Sequence, residues 1–232
     1  MIKNFIPPFI WNVLKKNYFR KYYALNNLDK KLEKYLNFDN GYFIELGAND
    51  GVTQSNTFFF EKEKNWKGIL IEPIPHKFLE CIDNRSNKNN IYCNACVGFE
   101  FKERFVEIIY SNLMSTSLNL KSDIKNLEDH TKKGKKFLNN NDDIFKFAAI
   151  ASTLNDLMIK SNAPNKVNLL SLDVEGAEIE VLNGINFNQY IFEYILIESR
   201  SFDLINSFLK NKNYKFLEKL SQHDYLFSYN KL

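Results

Sequence analysis

The chain has 232 residues, 44% of them hydrophobic and 15% aromatic, with 31 basic and 28 acidic side chains and a net charge of +3. This composition excludes global disorder and suits one domain with a packed core. The charge is too small to point to nucleic acid, no apolar run reaches the roughly 20 residues that span a bilayer, and few arginines (Arg20, Arg85, Arg104, Arg200) are present to clamp phosphate.

Residues 1–36 stand apart. Lys3, Lys15, Lys16, Arg20 and Lys21 precede the first acid, Asp29, and Phe9, Trp11, Leu14, Phe19, Tyr22 and Tyr23 follow the pair Pro7 and Pro8. The prolines can open a helix. Two readings stay open for this aromatic, basic extension: peripheral contact with an anionic membrane at its inner face, or packing over the main domain or in a dimer. Leu28 to Leu36 reads as a short helix, and Asp39-Asn40-Gly41 turns the chain into the main domain, residues 37–232.

YFIELGANDG, Tyr42 to Gly51, is a β-prone run ending in Glu45 and then a turn with Gly47 and Gly51. A helix near 56–63 follows, then strand 68–72 ending in Glu72, with Pro73 and Pro75 stopping it. A helix near 76–82 leads to strand 91–94. Short Ile-rich strands alternating with helices predict a parallel sheet. Cys81, Cys93 and Cys96 are odd in number and lack a signal peptide, which fits a reducing cytoplasm. The CxxC of Cys93 and Cys96 has no second pair or nearby His to complete a zinc set, so buried thiols are expected.

The stretch from about 99 to 150 is less regular and reads as an insertion on the substrate side. Phe101 to Tyr110 alternates as an extended arm, Ser111 to Leu118 is a polar loop, and Lys121 to Asp143 is charged and Asn-rich. It is expected to be solvated and is a candidate lid over the acceptor. Order returns at Ala148. A helix over 152–160 is capped by Ser152 or Thr153, then strand 167–172 runs into Asp173-Val174-Glu175-Gly176 and a helix 177–183 closed by Gly184. Strand 194–198, helix 202–211 and strands 214–219 and 225–229 complete the chain, with no internal repeat.

The turn at Gly47 lacks the GxGxxG of a dinucleotide site and the Lys-Ser/Thr of a phosphate loop. An acid two residues before the glycine, Glu45, repels phosphate and suits an ammonium or sulfonium. Glu72, at the tip of the next strand, is placed to accept from ribose hydroxyls. One nucleoside end and one cationic end describe S-adenosyl-L-methionine better than NAD or ATP.

ELGANDG (45–51), WKGILIEP (66–73), NACVG (94–98), STLNDL (152–157), LSLDVEGAE (170–178) and DYLF (224–227) together resemble the FkbM-type class I S-adenosylmethionine-dependent methyltransferases. The resemblance spans roughly residues 40–230. It implies an α/β, Rossmann-like seven-stranded mixed sheet with helices on both faces and its last strand antiparallel. It also implies that Glu45 and Gly47 line the methionine end of the cofactor, with Asn49, Gly51 and Ser55 completing the pocket. Glu72 then holds the ribose, and Asn94 and Ala95 lie near the adenine.

Asp173 and Glu198 end successive strands where the methyl group should project, and either could deprotonate an acceptor hydroxyl, as could His223 in the last hairpin. Against this, Asp173 and Glu175 could simply cap the helix at 177. Clustered carboxylates could hold a divalent metal, though the spacing demands none. The leading expectation is a cytoplasmic O-methyltransferase acting on a sugar hydroxyl of a cell-surface polysaccharide such as capsule or lipopolysaccharide, or on its precursor. FIPPFIW, near the start, resembles the lead-in of family members associated with such synthesis. The acceptor could also be a small molecule, a lipid headgroup or a peptide. An NAD-dependent sugar-modifying enzyme lacks its GxGxxG here, and a silent binding protein remains the non-enzymatic alternative.

Overall fold

A computed structural model describes residues 21–124, 126–138 and 143–230. The helix expected after Pro7 and Pro8 lies outside the described residues. Helix α1 (Leu28–Leu32) comes first, followed by β1 (Tyr42–Leu46), α2 (Phe58–Lys64), β2 (Lys67–Ile71), α3 (Pro75–Asn84) and β3 (Asn90–Tyr92). The second half of the domain supplies α5 (Leu154–Lys160), β8 (Lys166–Leu172), α6 (Glu178–Asn183), β9 (Ile191–Glu198), α7 (Phe202–Lys210), β10 (Tyr214–Lys219) and β11 (Asp224–Tyr229). The main sheet has seven strands in the order β10-β11-β9-β8-β1-β2-β3. β11 runs antiparallel to both its neighbours, and the other pairings are parallel. This is the mixed Rossmann-like sheet expected from the motifs.

Side-chain alternation divides the core into two layers. Ile44, Leu46, Leu170, Leu172, Ile195 and Ile197 face one way, toward Leu154, Met158, Val181, Leu182, Ile205 and Leu209 of α5, α6 and α7. Phe43, Leu70, Leu169 and Leu196 face the other way, toward α1, α2 and Trp66. Tyr23, Leu28, Leu32 and Leu36 are buried in this second layer, so the described end of the N-terminal segment is part of the core. Leu32 and Leu36 are fully buried, and burial of each such Leu is worth roughly 1.5–3 kcal/mol.

The expected strand 91–94 is corrected: β3 ends at Tyr92, and β4 (Ala95–Val97) leaves the sheet for a second one. That sheet has the order β4-β7-β5-β6, with β5 (Phe105–Tyr110), β6 (Thr116–Ser117) and β7 (Phe145–Thr153). Between β6 and β7 lies α4 (Leu127–Gly134). The expectation of an irregular 99–150 segment is therefore corrected as well. β5 pairs with β7 along its whole length, from Phe105 opposite Ile150 to Tyr110 opposite Phe145. Val106, Ile108 and Ala149 bury a small third core between β4 and this hairpin. Thr153 caps α5, its side chain accepting from Asp156 N at 3.0 Å, as the Ser-Thr pair suggested.

The three cysteines are free thiols. Cys81 and Cys96 are buried, and burial pushes the Cys81 thiol up to about 12, so neither is a ready nucleophile. Among the described residues, no helix is long and apolar enough to cross a membrane.

Candidate active site

Strand register decides which residues meet. Leu46 at the end of β1 pairs with Ile71 of β2 and Leu172 of β8, and Leu172 pairs with Ile197 of β9. The residues that follow are Gly47, Glu72, Asp173 and Glu198. All four reach one level at the carboxyl edge of the sheet, where open α/β sheets bind ligands. They line a cavity of about 440 Å³, roofed by the second sheet and the loop from Asn112 to Ser117. Lys136 and Phe137, just after α4, also touch it.

Gly47 has φ +76, and a Cβ there would meet the carbonyl oxygen of Asp173. Glycine is needed on both counts. Glu72 is 4% exposed; its Oε2 accepts from Asn49 N and its Oε1 from Ile74 N, each at 2.8 Å. Each oxygen keeps a lone pair for a ligand. Burial pushes the Glu72 carboxyl up to about 7, against the pull of those two N–H groups. Asn94 donates to Ser152 Oγ at 3.0 Å, which steadies the link between the two sheets beside Ala95 on the cavity wall.

Three expected residues take other roles. Glu45 touches the cavity, but its carboxylate accepts from Ser55 Oγ, Asn56 N, Thr57 Oγ1 and Arg85 Nη1. It anchors the loop 52–57 and has no oxygen to spare for an ammonium group. Ser55 Oγ donates to Glu45 and accepts from Phe58 N at 3.0 Å, so it closes the start of α2. Gly51 faces away from the cavity. Its φ is +82, and a Cβ would lie 2.7 Å from Arg85 Cγ and 3.0 Å from Cys81 Sγ.

At the other end, Asp173 and Glu198 stand side by side. Burial and mutual repulsion hold the Asp173 carboxyl well above the usual carboxylate range. Burial also raises Glu198, while its hydrogen bond with Asp173 and, to a smaller degree, Arg200 draw it back. The two carboxyls therefore titrate as one unit. Neither Asp173 nor Glu175 caps α6. Glu178 does that work from inside, accepting from Gly176 N at 3.0 Å and Val174 N at 3.3 Å.

His223 is outside the cavity, in the β10–β11 turn, where its N donates to Ser221 Oγ at 3.3 Å. His130, on α4, is buried with Nε2 3.2 Å from Glu175 Oε2. Glu175 (φ +52) also meets Arg200 Nη2 at 3.1 Å, and Thr116 Oγ1 donates to its carbonyl at 2.9 Å. Asp123 accepts from Arg200 N at 2.8 Å and Ser199 Oγ at 3.1 Å. Sequence distance hid this cluster, since His130 and Glu175 are 45 positions apart; the signal at hand was the local density of charge around 121–143.

A family model described as the methyltransferase FkbM domain matches residues 45–216. The chain belongs to this family. The match begins at Glu45 and takes in Gly47, Glu72, Asp173, Glu198 and the whole second sheet. No curated protein matches the chain. Among solved structures, methyltransferase FkbM from Methylobacillus flagellatus KT aligns with a TM-score of 0.47 and 14% identity. That alignment covers 82% of this chain and 44% of the other, so this chain spans less than half of that protein.

Proposed function

We propose that the chain is an S-adenosyl-L-methionine-dependent O-methyltransferase that acts on a sugar hydroxyl of a cell-surface polysaccharide or its precursor. The carrying observation is that Gly47, Glu72 and Asp173 reach one level on a single cavity large enough for a cofactor. The donor set fits this nucleoside. Glu72 keeps a lone pair on each oxygen for ribose hydroxyls. Ile74, Ala95 and Cys96 offer an apolar wall for the base. Gly47 opens the turn beside Asp173, and the nearby acids suit a cationic methionine end. When bound, S-adenosylmethionine supplies an electrophilic methyl group on a sulfonium.

The chain's own contribution is orientation and proton removal. Asp173 and Glu198 stand together on the cavity, and this carboxylate pair accepts the proton of the acceptor hydroxyl. The second sheet and the segment around Phe137 cover the cavity and limit water. The sugar acceptor is supported by the motif resemblance, including FIPPFIW near the start, and by the oxygen-rich lining around Ser115, Thr116 and Ser117. A cytoplasmic location completes the reading.

Isothermal titration tests the donor half: the wild type binds S-adenosylmethionine and Glu72→Ala weakens it at least tenfold. Unchanged affinity in that variant would remove the ribose role. Mass spectrometry of surface glycans from cells with and without the active protein tests the acceptor, which is expected to differ by one methyl group.

A further inference from the structure

The cavity has a wall that the family match, beginning at Glu45, does not include. Leu25 lines it together with Thr53 and Gln54, the residues that follow the Gly47 turn. Tyr23, Ala24 and Leu28 around it are buried, whereas Leu25 is 54% exposed. A single exposed leucine is ordinary on a protein surface. What distinguishes this one is how firmly the chain on either side of it is fixed.

Asp29, fully buried, accepts from Tyr23 N at 2.5 Å and Ala24 N at 3.1 Å. The Tyr23 ring meets Phe58 of α2 edge-on with centroids 4.7 Å apart, and its hydroxyl accepts from Lys62 Nζ at 2.8 Å. Ala24 then forms a parallel β-bridge with Gln54. Asn26 and Asn27, at φ +53 and +55, turn the chain into α1, a left-handed conformation that asparagine adopts more readily than most residues. Across the bridge a second acid does the same work. Asp50 accepts from Val52 N at 2.9 Å and from Thr53 N at 2.6 Å. Two carboxylates thus fix two loops where they meet, and the N-terminal loop presents an apolar side chain to the cavity.

An apolar cover suits one part of the donor. The methylenes between the sulfonium and the α-carbon of S-adenosylmethionine gain from contact that excludes water, and the Gly47 turn places that portion beside Thr53 and Gln54. We propose that Tyr23–Asn27 is the outer wall of the donor end, with Leu25 the side chain that covers the methionine portion and Asp29 a positioning residue that acts through Leu25. This rests on the S-adenosylmethionine reading of the cavity. A wall of this kind slows escape of the bound donor more than it speeds arrival.

Full-length protein is tested by calorimetry and surface plasmon resonance with S-adenosylmethionine, and by amide hydrogen exchange. Leu25→Ala is expected to weaken the Kd about three- to tenfold, through faster dissociation, at an unchanged melting temperature because the side chain is exposed. Asp29→Ala should weaken binding at least as much, and Asp29→Asn, which keeps one acceptor oxygen, should recover part of it. In the wild type, S-adenosylmethionine should slow exchange across residues 23–27, a protection that a merely structural turn would not gain. Should Asp29→Ala fail to fold, Leu25→Ala and the exchange measurement decide. Wild-type affinity in Leu25→Ala overturns the proposal, as does exchange at 23–27 that the donor leaves unchanged. Failure of the wild type to bind S-adenosylmethionine overturns the donor reading itself, whereas loss of binding in Glu72→Ala with none in Leu25→Ala removes only this wall.

Discussion

A Cβ built on Gly47 would collide with the carbonyl oxygen of Asp173, because β1 and β8 converge there with Asp173 N donating to Leu46 O at 3.3 Å. The turn that opens the cofactor half of the cavity and the strand end that opens the acceptor half are thus one contact. Gly47→Ala must take a left-handed φ and also push the strands apart. About 2–4 kcal/mol of destabilisation follows. The expected readout is a fall in Tm of about 5–12 °C, with loss of S-adenosylmethionine binding even at temperatures where the variant stays folded. Normal affinity in a folded variant would show that the strands can separate freely.

Arg85 and Glu45 form a buried ion pair, Nη1 to Oε2 3.4 Å, and Arg85 Nε also reaches Glu61 at 2.7 Å. Arg85 further donates to Gly51 O at 2.9 Å, so it ties α3 to the glycine turn. Arg85→Met leaves the Glu45 carboxylate without its cation. The expected cost is about 3–5 kcal/mol, read by urea denaturation. A change under about 1 kcal/mol would mean that Ser55, Thr57 and Asn56 N alone satisfy Glu45.

Glu72 should make both stability and cofactor affinity pH-dependent, in opposite senses. Its folded carboxyl titrates at about 7, above the ordinary 4.5, because burial penalises the charge. The folded chain therefore holds a proton that the unfolded chain has lost between those values. This contribution favours folding fully below about pH 4.5 and is lost as pH rises through 7, about 3 kcal/mol in all. The carboxylate form is the better acceptor of ribose hydroxyls, so S-adenosylmethionine affinity should rise up to about tenfold from pH 6 to pH 8. Glu72→Gln should flatten both trends, measured by Tm and by titration across that range.

Asp173→Asn and Glu198→Gln should lower methyl transfer by about 10²–10⁴-fold, the usual worth of positioned proton transfer. His223→Ala should leave it within about twofold, because that side chain lies outside the cavity. Transfer of labelled methyl to a glycan extract provides the measurement. A large loss in His223→Ala would require the β10–β11 turn to fold over the site during turnover.

Much of the fold was legible because its signals are local. Ile- and Leu-rich strands buried on both faces read as a parallel sheet, and Tyr214–Lys219 was bounded correctly by its turn residues. Thr153 as a cap and Gly184 at the end of α6 follow from backbone chemistry within a few residues. The break after Tyr92 was not legible, since IYCNACVG is apolar apart from Asn94 and only pairing with β7 draws Ala95–Val97 away. Phe145–Thr153 was partly hidden in the same way, its partner β5 lying some 40 positions earlier in the chain.

The sequence by itself determined the family, the order of strands and helices in the main sheet, and the acids that end β2, β8 and β9, because a strand's closing residue is set by neighbours in the chain. Tertiary structure alone decided which of those acids are free to act. It spent Glu45 on Ser55, Thr57 and Arg85, removed His223 from the site and brought His130 to Glu175. Burial and partner distance set those outcomes, and both depend on segments that meet only when the second sheet closes over the first.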